Sequence, residues 1–373
     1  MSGHGRNRYD GPELTIDLAA IAANVAHFVS LTAGEVMAVV KADGFGHGAT
    51  DVANTALSAG ASRLGVTSLA EASELRDTGV RAPILSWLNP VDADFGLARS
   101  RRIEVAVPSL EHLQAVAGHG RGSVDVHLHA DTGMARDGAP RSTWFELCTR
   151  AAQLEAAGRI RVIGVMGHLP CADQPDHPSN ANGRAQFDAA VRVAHAVGLR
   201  PHDLHLAATA ATLNDPASHH TMSRIGAGLV GIGSTELHQA LTLRAPIVSC
   251  RLVAAGTPVG YGHTWTATRP THLGLIPLGY ADGIPFASSG AEVVVRGRRC
   301  PVVGRISMDQ TVVDLGPEAV RPGEVATVLG GAGPTIGEWA AWAGTLEHEI
   351  VTGIGSRVRR TVLSACGELR AVS

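Results

Sequence analysis

Short apolar runs alternate with amphipathic stretches over residues 12–238. Runs of this length are typical of buried parallel strands, whereas the stretches between them have the spacing of helices. Strands are predicted at residues 36–40, 64–66, 82–86, 103–107, 124–128, 162–166, 203–206 and 225–232. Helices are predicted between them, for example at residues 69–78, 110–118, 143–157 and 183–197. Eightfold alternation of strand and helix predicts an α/β fold, a (β/α)8 TIM-type barrel over about residues 12–238.

The pattern changes after residue 238. Strand-like segments separated by glycine and proline turns follow at residues 245–254, 272–277, 291–296, 311–315 and 324–329. One helix is predicted among them, at residues 336–343. This pattern predicts a second, mainly-β C-terminal domain over residues 239–373.

Length and charge restrict the classes of protein to which the chain can belong. It has 373 residues, of which 45% are hydrophobic, and a net charge of −3. That length allows two domains with separate cores. No cluster of basic residues would form a basic face, so no nucleic-acid partner is predicted. No apolar run reaches about 18 residues, so no membrane span is predicted. The N-terminal stretch MSGHGRNRYDG lacks the apolar core of a signal peptide, and a cytoplasmic location is expected.

Cysteines and histidines do not predict a metal site. The five cysteines are scattered without C-x-x-C spacing and are expected to be core thiols: Cys148, Cys171, Cys250, Cys300 and Cys366. Although 18 histidines are present, no H-E-x-x-H motif occurs. The pairs His202/His205 and His219/His220 lack a third ligand at a plausible spacing, so no metal is predicted.

Lys41 is the first candidate for chemistry, because it ends the apolar run 36–40 and precedes a glycine-rich turn in VMAVVKADGFGHG. Ligands bind at the carboxyl ends of strands in α/β folds, and a buried lysine is costly unless it is paired, uncharged or covalently used. A lysine after one strand is more often an ordinary solvated residue.

Gly44, Gly46 and Ala49 also fit the loose dinucleotide pattern G-x-G-x-x-A. The dinucleotide pattern also requires an acidic residue at the end of the next strand. The nearest acidic residue is Glu71, which lies in a following helix, so a nicotinamide oxidoreductase is a weaker alternative.

KADGFGHG resembles the pyridoxal-phosphate lysine motif of the alanine racemase family. The similarity extends from about residue 14 to residue 360 through ADTGMARDG, MGHL, HLAATAATL, RIGAGLVGI, GYGHTW, LGYADG and GRISMDQ. Eight segments in the same order are far more specific than any one of them. The resemblance implies an amino-acid racemase that uses pyridoxal 5'-phosphate. It also implies a homodimer with shared active sites, acting on L- and D-alanine or another small amino acid.

The resemblance implies two bases on opposite faces of the substrate α-carbon. Lys41 would carry the cofactor and act on one face, and Tyr261 of the partner subunit would act on the other. His168 and Arg224 match the relay that supports the tyrosine, and Arg224 also faces the cofactor's ring nitrogen. Without the resemblance, Tyr261 between two glycines would be interpreted as a turn residue. His168 would be interpreted as a buried histidine at the end of a strand. Arg224, at the start of the strand 225–232, would be interpreted as an ion-pairing residue.

Further roles follow from the resemblance alone. Arg136 would contact the cofactor's phenolic oxygen and the substrate carboxylate. Thr209 and the backbone amides of Gly226 and Ala227 would hold the phosphate at the barrel rim. Two residues of the partner subunit would complete the site, through the amide of Met308 toward the substrate carboxylate and through Asp309 at the entrance. A methionine in a β domain is more often part of the core.

Several positions depart from the family pattern. Phe45 and Val362 stand where the family has tyrosines whose hydroxyls reach the phosphate, so Phe45 borders the cofactor without that donor. His129 replaces a lysine that supports Arg136, and two substitutions change the entrance: Phe286 for an arginine and His348 for a tyrosine.

These departures leave an alternative open, a cofactor-binding paralogue with weak or lost racemase activity in a specialised biosynthetic pathway. A non-catalytic cofactor-carrying protein is disfavoured because such a protein would be expected to have lost Tyr261 or its relay, and these residues are retained.

Overall fold

The computed structural model describes residues 11–120, 122–364 and 367–371. Contacts divide the chain into two compact units. The described residues within 21–229 and 233–235 form one, here the barrel unit, and the described residues within 11–20, 230–232 and 236–371 form the other, the β-rich unit. Cys366, which was expected to be a core thiol, lies outside the described residues.

The described strands share short lengths, from two to seven residues. In chain order they are β1 (Glu13–Asp17), β2 (Glu35–Val39), β3 (Arg63–Val66), β4 (Ile84–Ser86), β5 (Glu104–Val107), β6 (Val124–His129), β7 (Ile160–Met166), β8 (Asp203–His205), β9 (Met222–Ile225), β10 (Leu241–Pro246), β11 (Ser249–Val253), β12 (Pro258–Val259), β13 (Trp265–Thr266), β14 (Thr271–Ile276), β15 (Glu292–Val295), β16 (Arg298–Pro301), β17 (Thr311–Gly316), β18 (Val325–Gly330), β19 (Arg359–Leu363) and β20 (Leu369–Ala371).

The helices of the described residues lie mainly between the barrel strands. They are α1 (Leu18–Leu31), α2 (Lys41–Gly46), α3 (Ala49–Ser58), α4 (Leu69–Asp77), α5 (Phe95–Arg101), α6 (Leu110–Gly118), α7 (Arg141–Ala156), α8 (Pro178–Ala196), α9 (Thr209–Asn214), α10 (Ile336–Ala343) and α11 (Glu347–Thr352). Short 3-10 turns occur at Pro216–Ser218, Ala227–Val230, Tyr261–His263 and Tyr280–Asp282.

The barrel unit is built on a parallel sheet in the order β8-β7-β6-β5-β4-β3-β2-β9. A parallel bridge between Ala208 and Arg224 joins the two ends of this order, and the Thr221 N–H donates to the Leu204 carbonyl oxygen at 3.2 Å. The sheet is therefore closed, and the prediction of an eight-stranded α/β barrel is confirmed.

The last barrel strand differs from its prediction. It was expected over residues 225–232, but β9 ends at Ile225 and a 3-10 turn follows. The glycines in this stretch explain the difference, because they let the backbone turn where side chains would collide. A Cβ at Gly228 would lie 2.4 Å from Cε2 of Phe28. Arg224 thus lies near the carboxyl end of its strand, and the expectation that it begins a strand is wrong.

The β-rich unit contains a seven-stranded sheet in the order β16-β15-β18-β10-β1-β19-β20. A three-stranded sheet, β11-β14-β17, and a hairpin, β12-β13, complete it. The expected mainly-β C-terminal domain is confirmed. Strand β1 pairs with β10 and β19 in this sheet, so it lies outside the barrel, although the barrel was predicted to begin at about residue 12.

The described cysteines are free thiols in two environments. Cys148 and Cys300 are buried as expected, but Cys171 and Cys250 are only partly buried, so for these two the expectation of core thiols is wrong. No group of three potential metal ligands was found among the described residues. None of the helices in the described ranges is both long enough and apolar enough to cross a membrane.

Candidate active site

Lys41 stands at the carboxyl end of the barrel, two residues after the end of β2. The backbone after it forms a left-handed turn, with φ angles of 51°, 54°, 60° and 59° at Ala42, Asp43, Gly44 and Phe45. Left-handed geometry costs about 1–2 kcal/mol for each non-glycine residue, so tertiary contacts must stabilise this turn. The Gly44 N–H donates to the Val40 carbonyl oxygen at 2.9 Å, and the Ala49 N–H donates to the Asp43 carboxylate at 2.8 Å.

Glu71, in helix α4, stabilises the turn that follows Lys41. Its carboxylate accepts the Ala42 N–H at 2.8 Å, the Thr67 N–H at 2.8 Å and the Thr67 hydroxyl at 2.6 Å. Burial alone raises the pKa of Glu71, but these hydrogen bonds outweigh it and keep the pKa below its usual value. Glu71 therefore stays ionised beside the lysine, and it is not the acid of a dinucleotide site. The capping sequence from Ser68 to Glu71 was the signal in the sequence for this position.

The environment of the Lys41 amine favours its neutral form. Burial lowers the pKa of Lys41, and the positive charges of Arg136 and Arg224 lower it further, while Glu71 opposes them. The Nζ atom lies 6.0 Å from the centre of the Trp87 ring. Lys41 is also the only lysine in the sequence, which is a further signal in the sequence for its role, separate from the motif. A partly buried amine with a lowered pKa is suited to act as a nucleophile or base. Lys41 is therefore not an ordinary solvated surface lysine.

Arg224 is 4% exposed and reaches the end of the barrel interior. Its guanidinium donates to the carbonyl oxygens of Gly167 and His205, each at 2.7 Å, and to that of Leu206 at 3.3 Å. It also contacts Nδ1 of His205 at 3.0 Å and Nδ1 of His168 at 3.2 Å. Burial lowers the pKa of Arg224 to about 10, which leaves the guanidinium charged at neutral pH.

The structure brings His168 and Arg224 together, as the relay requires. Because a guanidinium only donates, Nδ1 of His168 must accept, and the proton of the neutral ring lies on Nε2. Burial, then the charge of Arg224, lowers the pKa of His168 to about 3. Thr132 fixes the backbone of the histidine, since its hydroxyl donates to the His168 carbonyl oxygen at 2.7 Å and accepts the His168 N–H at 3.1 Å.

Thr209 and the turn after β9 form the corner where a phosphate was expected. The Thr209 hydroxyl accepts the N–H groups of Gly226 and Gly228, each at 3.2 Å, so its own proton remains available to an anion. Ala227 begins the 3-10 turn beside them. The ring of Phe45 packs against the same corner, where a Cβ at Gly226 would lie 2.8 Å from Cζ of Phe45.

Arg136 lies exposed in the loop after β6. The Asp131 carboxylate shapes this loop by accepting the N–H groups of Gly133, Met134 and Ala135 at 2.9, 3.0 and 3.1 Å. His129, which replaces the expected lysine, pairs with Asp137 at 3.4 Å. Within the part of the chain that the structure describes, Arg136 forms no ion pair, so its guanidinium is available to a carboxylate.

The candidates in the β-rich unit lie on exposed turns. Tyr261 is 71% exposed, between Gly260 and Gly262, whose φ angles are 72° and 71°. Met308 is 52% exposed and so is not a core residue. Asp309 pairs with Arg357 at 2.7 Å.

Backbone hydrogen bonds join the segments GYADG and GRISMDQ in the same unit. The Tyr280 N–H donates to the Ser307 carbonyl oxygen at 3.1 Å, and the Ala281 N–H donates to the Met308 carbonyl oxygen at 3.0 Å. Phe286 is exposed, with its ring centre 5.9 Å from that of Tyr280. Val362, in contrast, is buried in β19.

Comparisons with known proteins show the family to which the chain belongs. The alanine racemase N-terminal domain profile matches residues 16–234, and the C-terminal domain profile matches residues 240–362. The chain belongs to the alanine racemase family. Alanine racemase of Salinispora tropica is 40% identical over 356 residues, which cover 92% of this chain and 96% of that protein. Alanine racemase of Mycobacterium tuberculosis is 41% identical over 373 residues, which cover 95% of this chain and 96% of the relative.

Solved alanine racemase structures have the same fold. The enzyme from Streptomyces lavendulae, a producer of D-cycloserine, superposes with a TM-score of 0.93 at 38% identity, covering 95% of this chain and 97% of that one. The enzyme from Streptomyces coelicolor A3(2) gives a TM-score of 0.92 at 39% identity, covering 95% and 98%. The predicted family membership is confirmed, and the protein is an amino-acid racemase.

Proposed function

We propose that this protein interconverts L- and D-alanine with pyridoxal 5'-phosphate bound at Lys41, in a homodimer whose subunits share their active sites. The observation that carries this proposal is the pairing of a partly buried lysine of lowered pKa with a buried Arg224–His168 relay at one end of the barrel. Relatives that are 38–42% identical over nearly the whole chain and are named alanine racemase support the choice of substrate.

The residues at the barrel end fit this cofactor. Lys41 supplies an amine whose pKa is lowered, and Thr209 supplies a hydroxyl proton with the Gly226 and Gly228 amides ordered around it. Arg224 supplies a donor for the ring nitrogen. When bound, the cofactor withdraws electrons from the substrate α-carbon, so that the α-proton becomes acidic.

Arg224 selects proton exchange over other reactions. A guanidinium keeps its protons at neutral pH, so Arg224 would donate a hydrogen bond to the ring nitrogen without protonating it. Electron withdrawal from the substrate α-carbon would then be weaker than beside a carboxylic acid. Plain proton exchange is therefore favoured over transamination or decarboxylation.

Lys41 takes or returns the α-proton on one face of the substrate, and Tyr261 of the partner subunit does so on the other. A phenol, with a pKa of about 10, is a poor base at neutral pH without help. The neutral His168 ring presents its Nε2–H outward, since Nδ1 is occupied by Arg224. This N–H would donate to the phenolic oxygen and stabilise its ionised form. Arg136 binds the substrate carboxylate, together with the Met308 amide of the partner subunit, and Asp309 of the partner subunit lies at the entrance.

Exposed apolar side chains on the β-rich unit support the dimer. Leu252, Tyr261, Phe286 and Met308 are each more than half exposed. Six of the eight large apolar side chains that are more than half exposed in the described part of the chain lie on this unit, and exposed apolar side chains are typical of a surface that a partner covers. A second copy of this chain is the proposed partner, because Tyr261 and Met308 then enter the other subunit's site.

One observation favours the second candidate, a paralogue that binds the cofactor but racemises weakly. Phe45 borders the phosphate corner without a hydroxyl, and Val362 is buried in a strand. A hydrogen bond to a charged group is worth about 1.5–3 kcal/mol, so loss of two weakens cofactor retention appreciably.

Two measurements test the proposal. Purified protein should be yellow, and borohydride reduction should add one phosphopyridoxyl group; since Lys41 is the only lysine, its peptide should carry the group. Lys41→Arg, which keeps the charge, is the matched control and should not be labelled there. A colourless protein that takes up no added cofactor would refute both candidates.

The second measurement separates the two candidates. In deuterated water, L-alanine should gain deuterium at the α-carbon and yield both enantiomers, with L-serine tested in parallel. Exchange with retained configuration, or no exchange in a yellow protein, would favour the paralogue.

A further inference from the structure

A line of buried hydrogen bonds runs through the barrel interior away from the proposed site. Nδ1 of His205 meets Arg224 at 3.0 Å, and Nε2 of His205 meets Nδ1 of His127 at 2.9 Å. Nε2 of His127 meets the Glu104 carboxylate at 3.1 Å, and the other oxygen of Glu104 accepts from Arg63 at 2.7 Å. Both histidines are 0% exposed, so these contacts are shielded from bulk solvent.

The direction of every hydrogen bond in this line follows from its two ends. Arg224 only donates, so Nδ1 of His205 accepts and the proton of the neutral ring lies on Nε2. That N–H donates to Nδ1 of His127, whose own proton must then lie on Nε2 and be donated to Glu104. An ionised carboxylate only accepts, so Glu104 completes the line without a conflict.

The ionisation states agree with this direction. Burial raises the pKa of Glu104, but its contacts with His127 and Arg63 outweigh burial and hold the pKa below its usual value. Burial, followed by the charges of neighbouring groups, lowers the pKa of His205 well below its ordinary value. A neutral His205 and an ionised Glu104 are the states that the hydrogen bonds require.

The barrel makes room for this line at one position. The ladder between β6 and β7 is irregular between Val126 and His127. Across it, a Cβ at Gly164 would lie 2.0 Å from Nδ1 of His127, a distance that no side chain could tolerate. The His127 and His205 rings then meet edge to face, with centres 5.0 Å apart. A glycine with no positive φ is therefore explained by the histidine ring.

We propose that Glu104 and His127 are positioning residues for the reaction at Arg224. The negative charge of Glu104 sets the tautomers of both histidines in series, so that a lone pair of His205 faces Arg224. If both tautomers were reversed, an N–H of His205 would face an N–H of Arg224 inside the barrel, and the guanidinium would move away from His168. This inference rests on the proposed function, because it assigns the line its role through Arg224.

The test uses the holoenzyme labelled with ¹⁵N-histidine. Long-range ¹H–¹⁵N spectra should show His127 and His205 both protonated on Nε2 and bare on Nδ1. In Glu104→Gln, His205 should show a mixture of tautomers, and kcat should fall about tenfold with KM for alanine changed less, as expected when a charge-assisted hydrogen bond is weakened.

Glu35→Gln is the matched control. Glu35 also faces Arg63, at 3.5 Å, and accepts a hydrogen bond from the Ser62 hydroxyl, but among the described residues it pairs with neither histidine. It should leave the tautomers and kcat unchanged. If Glu104 only anchors Arg63, Glu104→Gln will lower the melting temperature while tautomers and kcat stay as in the wild type, and the proposal is wrong.

The wild-type spectrum tests the proposed tautomers of His127 and His205 even if Glu104→Gln does not fold. A proton on Nδ1 of His205, or a doubly protonated ring, overturns the inference while leaving the proposed racemase intact. The expected tautomers in a protein that neither binds the cofactor nor exchanges deuterium would instead refute the proposed function alone.

Discussion

Replacing Gly226 with alanine tests how the phosphate corner is built. The φ angle of Gly226 lies outside the left-handed region, so alanine is compatible with its backbone. Its new Cβ would lie 2.8 Å from Cζ and 3.0 Å from Cε2 of Phe45, and 3.4 Å from Cβ of Val39. The first two distances are too short, so the Phe45 ring or the turn beneath it must move.

The size of the effect follows from this overlap. Overpacking by one methyl group typically costs about 1–3 kcal/mol. Phe45 belongs to the left-handed turn that begins at Lys41, so movement there is transmitted to the lysine and to the Gly226 N–H that orders Thr209. Cofactor affinity should therefore fall about 5- to 150-fold, since 1.4 kcal/mol corresponds to tenfold.

The assay is a titration of the apoprotein with pyridoxal 5'-phosphate, followed by absorbance. Gly118→Ala is the matched control, because a Cβ there meets nothing within 4 Å, and its affinity should equal that of the wild type. Adding Phe45→Leu to Gly226→Ala should recover part of the loss by removing the colliding ring atoms. Unchanged affinity in Gly226→Ala, or no recovery in the double variant, would show that this contact does not shape the cofactor site.

The remaining predictions concern the bases, the relay and the two missing hydroxyls. Tyr261→Phe should abolish interconversion of alanine enantiomers while the yellow colour remains, and unaffected turnover would refute its role as a base. His168 has a folded pKa of about 3 against an ordinary 6.5, so between these values the unfolded chain binds a proton that the folded chain does not. The free energy of unfolding should therefore fall as the pH drops through that window. Urea unfolding at pH 7 and pH 5 should show a smaller change in His168→Gln, and equal changes would contradict the assigned pKa. Phe45→Tyr should tighten cofactor binding about tenfold by adding a donor at the phosphate corner, and an unchanged dissociation constant would show that the hydroxyl is dispensable. Val362 is 2% exposed and pairs with Ile16, so Val362→Tyr should instead destabilise the protein by about 1–3 kcal/mol in chemical unfolding.

Sequence patterns predicted the features that depend on local physics. Strands buried on both faces must be apolar along their length, so the barrel strands were visible as short runs. Helix α10 begins at Ile336 and ends at Ala343, as predicted, because Thr335 and Glu338 form a capping box and Gly344, with φ of 64°, ends it. Lys41 was found because it interrupts an apolar run before a glycine-rich turn.

Other features depend on residues far apart in the chain. Strand β1 lies outside the barrel because its edges pair with β10 and β19, and nothing in five residues specifies those partners. Strand β9 ends early because Phe28 and Phe45 come close to the glycines that follow it.

The sequence by itself determined the barrel, the β-rich unit, the family and the lysine, since each is marked by a periodic pattern or a contiguous motif. Only the tertiary structure decided that Glu71 stabilises the turn after Lys41 and that Glu104 connects through two histidines to Arg224. These contacts join residues up to 78 positions apart, and their direction follows from which atoms meet. Hydrogen-bond partners and burial are properties of the fold, and no local pattern of residues encodes them.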